Sequence, residues 1–279
     1  MNKNLRVAIQ GGIASFHDLA ARQYFYDQTI IPLACKTFKQ VVMAVEQETA
    51  DYGIMAIENS LVGSILPNYS LLQCFPVSIV GEYYLPIHHQ LLALPGQQVT
   101  DLRMVRSHPM ALQQCSDFLE RYPQLQQVEW DDTAESAREI AEKKEEGIAA
   151  IASDLAAKTY HLEILAANIE NLAINYTRFF ILAHNKKKGS QTGNKASVIF
   201  QLRHEVGALA DGLQVFKKNQ LNLTLIQSVP IPGKPNEYRF QIDVEWQDNS
   251  NFQQAVIQAK RKMLEFQILG VYQKAQIPL

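Results

Sequence analysis

The stretch from Asn185 to Lys195 carries no apolar side chain, and it divides the chain into two blocks with different hydrophobic rhythms. A run that offers nothing to a core reads as a linker, so the two sides are expected to bury their apolar surface separately. At 279 residues the chain is also too long for one comfortable core. Within the linker, the triple lysine Lys186, Lys187 and Lys188 reads as a solvated segment.

Before the linker, short apolar runs alternate with helical periodicity. Residues 5–9, 53–57, 103–106 and 148–152 read as buried strands, and 16–26, 38–48, 110–121 and 134–145 as amphipathic helices. That order predicts an α/β unit with a largely parallel sheet. The long extended run from Gly81 to Leu94 breaks the rhythm and suits a crossing between two lobes. After the linker the order is strand 196–202, helix 207–219, strand 222–229, strand 238–244, helix 251–266 and strand 268–273. This βαββαβ succession is the ferredoxin-like arrangement, with Pro230 to Asn236 as the turn between its central strands.

Composition removes several functional classes. Net charge is −2 with basic residues dispersed, which lacks the footprint of a nucleic-acid binder. No apolar run reaches the length of a membrane span, and Met1 to Asn4 leads straight into strand-like sequence with no signal peptide. Cys35, Cys74 and Cys115 are odd in number and far apart, which disfavours disulfides and zinc sites and predicts a cytoplasmic protein. His88 and His89, adjacent on an extended segment, point to opposite faces and are poor partners for one metal. Gly11-Gly12 lacks the spacing of a dinucleotide or phosphate loop.

In an open α/β sheet, ligands bind beyond the carboxyl ends of the strands. This chain repeatedly places small polar residues there: Ser15 with Asp18, Glu58-Asn59-Ser60, Ser107-His108-Pro109, Asp132-Thr133, and Ser153-Asp154. Helix starts present unpaired N–H groups and partial positive charge, which suit an anionic ligand. Thr177 and Arg178, side by side at the end of an apolar segment, add a hydroxyl donor and a bidentate carboxylate clamp. Their combination leads us to expect a cleft for an anionic ligand, a carboxylate or a phosphate.

Taken together, Ile9 to Ala21, Glu58 to Gly63, Ser107 to Cys115, Asp132-Thr133-Ala134 and Asn175-Tyr176-Thr177-Arg178-Phe179 resemble the ordered motifs of prephenate dehydratases. Residues 196–279, with Gly207-Ala208-Leu209 and Asn222 to Ile226, resemble the ACT domain appended to them. The resemblance implies a two-lobed catalytic region, similar to periplasmic binding proteins, over 1–184. Lobe one would be about 1–78 plus 174–184, lobe two about 79–173, followed by the linker 185–195 and the ACT domain. It implies conversion of prephenate to phenylpyruvate, carbon dioxide and water without a cofactor or metal, and phenylalanine as effector. Thr177 would be the principal catalytic residue, and Ser15, Asn59, Ser60, Ser107, His108, Thr133, Arg178 and Phe179 would contact substrate. Gly207, Ala208, Leu209, Asn222, Leu223, Gln227 and Ser228 would contact the effector, at an interface in a homodimer or homotetramer.

Three departures stand out. Ala14 replaces a usual glycine, Met110 follows His108-Pro109 where the family has glutamine, and Gln227-Ser228-Val229-Pro230 replaces Glu-Ser-Arg-Pro. The last removes both charges of the effector motif, which leaves open weakened, altered or backbone-only phenylalanine control. The catalytic pattern starts at residue 5, so the chorismate mutase segment of some relatives is expected to be absent. Two alternatives remain at this stage: an arogenate dehydratase, and a non-catalytic small-molecule sensor.

Overall fold

The computed structural model describes residues 4–185, 192–231 and 233–278, so the triple lysine lies outside the described residues. Lobe one is built from β1 (Leu5–Gln10), α1 (Phe16–Tyr24), β2 (Ile30–Cys35), α2 (Phe38–Glu46), β3 (Tyr52–Asn59), β4 (Gly63–Ser64), α3 (Leu66–Cys74) and β5 (Val77–Pro86). The chain then enters lobe two: β6 (Gln90–Ala93), β7 (Met104–Ser107), α4 (Pro109–Gln114), α5 (Ser116–Leu119), β8 (Gln126–Glu129), α6 (Thr133–Lys143), β9 (Ile148–Ala152), α7 (Asp154–Tyr160) and β10 (Glu163–Ala166). It returns to lobe one as β11 (Tyr176–His184). The C-terminal domain holds β12 (Lys195–Gln201), α8 (Ala208–Lys218), β13 (Asn222–Pro230), β14 (Tyr238–Glu245), α9 (Asn249–Lys262) and β15 (Glu265–Tyr272).

Side-chain caps set several helix starts. Ser15 Oγ accepts from Asp18 N, Thr37 from Gln40 N, Asp132 from Ala134 N and Glu135 N, and Asp248 from Ser250 N. The lobe-one sheet runs β2-β1-β3-β11-β5, and that of lobe two β10-β6-β9-β7-β8. Both are mixed rather than largely parallel. β11 lies antiparallel to β3 and β5, and β6 lies antiparallel to β9 and β10. The expected lobe boundary at 78/79 falls inside β5, which pairs with β11 over its whole length. The crossing is therefore shorter, Ile87 to His89, and it lies beside the return segment, with Ile87 N donating to Asn175 O at 2.8 Å.

The C-terminal sheet, β13-β14-β12-β15, has the ferredoxin-like order expected from sequence. One face packs on α8 and α9 around Phe200, Phe216, Ile242 and Phe252. The other meets lobe one, where Ile199, Leu269 and Tyr272 share a core with Met55, Tyr69, Phe180 and Leu182. The approach is close enough that Gly270 is required: a Cβ there would lie 2.0 Å from the Ile79 carbonyl oxygen. Lys195 corrects the linker boundary. It begins β12, is buried, and its Nζ lies 3.0 Å from Glu82 of β5. Burial lowers the pKa of its ammonium, joined by the neighbouring Arg178 cation and opposed by Glu82.

Candidate active site

A cavity of about 360 Å³ lies between the lobes. Thr177, Asn59, Ser15, His17 and Phe179 line it from lobe one, and His108, Gln114, Thr133 and Asp132 from lobe two. Four of the five polar strand ends named above reach it. Ser153 instead caps α7 and donates to Ala14 O at 3.0 Å, tying the lobes together beside Tyr160 Oη, which donates to Ile13 O at 2.7 Å. Asn59 starts no helix: its Oδ1 accepts from Leu61 N and Val62 N and so turns the chain into β4.

That turn also orients the groups around Thr177. Two backbone donors on Oδ1 fix the orientation of the Asn59 amide, so Nδ2 faces β11. Nδ2 donates to Thr177 Oγ1 at 3.1 Å and to Asn175 Oδ1 at 2.9 Å. With one lone pair taken, the threonine keeps its own O–H for the cavity. Asn175 Nδ2 in turn donates to Gln114 Oε1 at 3.0 Å, which lies 3.0 Å from His89 Nε2. Since that oxygen only accepts, His89 carries its proton on Nε2 and leaves Nδ1 bare and buried.

The cavity is poor in positive charge. Among the described residues no lysine or arginine lines it, and two of its three imidazoles, His17 and His89, are held neutral by burial. Burial takes the His17 pKa down to about 3, and its ring sits edge-on to Phe179 at 5.1 Å. Burial likewise lowers His89. Asp132, opposite, is raised by burial against its two backbone N–H bonds. Its Oδ2 would lie 2.6 Å from a Cβ on Gly11, so the left-handed glycine at φ +90° lets the lobes approach.

Arg178 is the chief correction. Neighbouring strand residues face opposite sides, so Thr177 toward the cavity sends Arg178 away from it. Its guanidinium is buried against the C-terminal domain, with Nη2 2.6 Å from Glu82 and 2.5 Å from Asp243. It clamps no ligand in the cleft. Ser60 and Ser107 are structural as well. Ser60 Oγ accepts from Tyr176 N at 3.0 Å, and the buried Ser107 Oγ donates to Ile151 O at 2.6 Å. Ser15, Asn59, His108, Thr133, Thr177 and Phe179 do line the cavity. Sequence reasoning missed Gln10, His89 and Gln114. Gln114 was detectable, because it lies one helical turn past Met110 on the same face of α4.

The proposed effector residues separate. Gly207, with φ +82°, caps α8 at the end of the sheet where β12 and β13 finish, with Ala208 and Leu209 following. Asn222 and Leu223 stand at the other end, where Asn222 Nδ2 donates to Glu245. Gln227 Nε2 donates to Ser64 Oγ of lobe one at 2.8 Å, and Ser228 pairs with Phe240. One chain does not gather these residues into a single pocket.

Two lobes flanking an inter-lobe cavity, joined to a ferredoxin-like domain, define a two-lobed cleft protein of the small-molecule-binding kind. A prephenate dehydratase family profile matches residues 7–187. The chain belongs to the prephenate dehydratase family. It is 36% identical over 279 residues to a bifunctional chorismate mutase/prephenate dehydratase of Aquifex aeolicus, covering 99% of this chain and 75% of that one. A prephenate dehydratase from Arthrobacter aurescens, solved with L-Phe, superposes with a TM-score of 0.86 at 26% identity, over 99% and 92% of the two chains. GqqA, described as a novel type of quorum quenching acylase, gives 0.87 at 30% identity, over 97% and 98%.

Proposed function

We propose that the cleft converts prephenate to phenylpyruvate, and the oriented Thr177 hydroxyl carries this reading. Prephenate has a ring hydroxyl that must leave as the ring carboxylate departs as carbon dioxide. The electrons of the breaking C–C bond move into the ring, which becomes aromatic, while the hydroxyl takes a proton and leaves as water. A donor beside the leaving oxygen is the main requirement, and such a group contributes roughly 10²–10⁴ in rate. Thr177 has that donor free because Asn59 occupies its acceptor side.

The shortage of cations serves the other half of the reaction. A lysine or arginine on the departing carboxylate would stabilise it before bond breaking. Neutral His17 and the ring of Phe179 offer no such hold. The surviving side-chain carboxylate is assigned to the start of α1, where N–H groups and Ser15 supply partial rather than full charge. An acylase, by contrast, needs a nucleophile that donates to a base, and the side-chain hydrogen bond of Ser15 Oγ is one accepted from the Asp18 backbone N–H.

Regulation is read as binding of phenylalanine by the C-terminal domain. Separation of Gly207 from Asn222 within one chain supports an effector site completed by a second subunit, in a dimer at least. No helix among the described residues is long and apolar enough to cross a membrane, which supports a cytoplasmic enzyme. Assays with prephenate and, separately, arogenate test the main claim. Phenylpyruvate from prephenate is the expected result, and no turnover of either substrate would overturn it.

A further inference from the structure

The interface between lobe one and the C-terminal domain contains a closed polar circuit. Arg178 Nη2 donates to Tyr272 Oη at 3.3 Å and pairs with Asp243 Oδ2 at 2.5 Å. Ser197 Oγ donates to Asp243 Oδ1 at 2.6 Å, so its remaining contact, 2.7 Å to Tyr272 Oη, is made as acceptor. The three hydrogen bonds thus run in one direction, from arginine through tyrosine and serine to aspartate, and the Arg178–Asp243 ion pair closes the ring. In such a chain each bond polarises the next. Glu82 and Lys195 complete the set, giving two anions and two cations with side chains at most 2% exposed.

This circuit is anchored one residue from Thr177. Beside it the ladder between β11 and β3 shifts register between Arg178 and Phe179, the kind of irregularity that re-aims a side chain. The segment beyond the shift keeps its ladder with β5, and two side-chain anchors add to it. One is Asn59, whose hairpin partner β4 touches Gln227 of the C-terminal domain. The other is the guanidinium of Arg178, also packed 4.8 Å over the Phe180 ring.

We infer that Asp243, contributed by the C-terminal domain, is a positioning residue for the Thr177 hydroxyl, acting through Arg178. The inference rests on Thr177 being the donor. Releasing one end of the guanidinium frees the strand to shift by a fraction of an ångström. A displacement of that order at a reacting group lowers turnover while leaving substrate contacts across the cavity in place.

The experiment is a double-mutant cycle on kcat in the full chain, combining Asp243→Asn with Thr177→Ala. In the parent background Asp243→Asn is expected to lower kcat about tenfold to a hundredfold, with KM for prephenate within about threefold. In the Thr177→Ala background the same change is expected to cost less than about twofold, because the group being positioned is gone. An equal loss in both backgrounds, or parental kcat for Asp243→Asn, would overturn the inference. Full activity of Thr177→Ala alone would instead sink the functional reading. Tyr272→Phe, which keeps all four charges, decides the matter if Asp243→Asn does not fold: a kcat loss of a few fold, absent without Thr177, is expected, and an equal loss in both backgrounds or none would overturn it.

Discussion

The two faces of β11 differ more than any two neighbouring regions of the molecule. On the cavity side, Thr177 meets the Asn59 amide and Phe179 the neutral His17 ring, whose Nε2 is buried and unpartnered. Toward the C-terminal domain, Arg178 meets two carboxylates and a phenol. The cavity side keeps hydrogen-bonding capacity in reserve for a ligand, whereas the other side spends it on folding. Where polar groups are saturated, a side chain serves architecture; where they are poised but unpaired, it serves chemistry.

The sharpest way to break this contrast is Thr177→Ala. It is expected to reduce kcat by roughly 10²–10⁴ while changing stability by less than about 0.5 kcal/mol, read from kinetics and thermal melts together. Parental turnover would empty the cavity side of its role. On the other face, Arg178→Met leaves Asp243 buried beside a lost cation, and a stability loss of about 3–5 kcal/mol is expected with KM little changed. A normal melting curve with a raised KM would return the guanidinium to the substrate.

Gly270→Ala tests the seam itself. A methyl 2.0 Å from the Ile79 carbonyl has to push β15 from β5, at an expected cost of about 1–3 kcal/mol in denaturant unfolding. An unchanged midpoint would show that the domains part readily. The fourth test concerns His17, whose effect appears only on acidification. Its pKa lies at about 3 when folded against 6.5 ordinarily, so the unfolded chain binds more protons between those values. Stability is full above about pH 6.5 and falls on acidification toward 3, by up to about 1.4 kcal/mol per pH unit. Replacement by glutamine removes that slope, so melts at pH 7 and 4.5 should show the parent losing more than the variant.

Local patterns in the chain were good guides to local structure. Apolar runs and caps placed β1, β3, β7, β9 and α6 to within a residue or two, and the βαββαβ order of the C-terminal domain was readable throughout. What failed was long range. Thr177 and Arg178 were read as partners because they adjoin in the chain, although strand periodicity sends neighbours to opposite faces. Lys195 looked like linker because its counter-ion, Glu82, lies far away in sequence. Asp243 carried no signal at all, since nothing in a strand's own periodicity announces that its buried acid will meet an arginine from another domain.

The pairing of Ile87 with Asn175 has a mechanical consequence. These two crossovers are the covalent connections between the lobes, so they form the axis about which the cleft would open. Points on a rotating body travel in proportion to their distance from the axis. Thr177 stands two residues from it and would be nearly stationary, while Asp132 and His108 would sweep outward. A cleft hinged there would exchange its contents by swinging its far wall, with Thr177 beside the pivot.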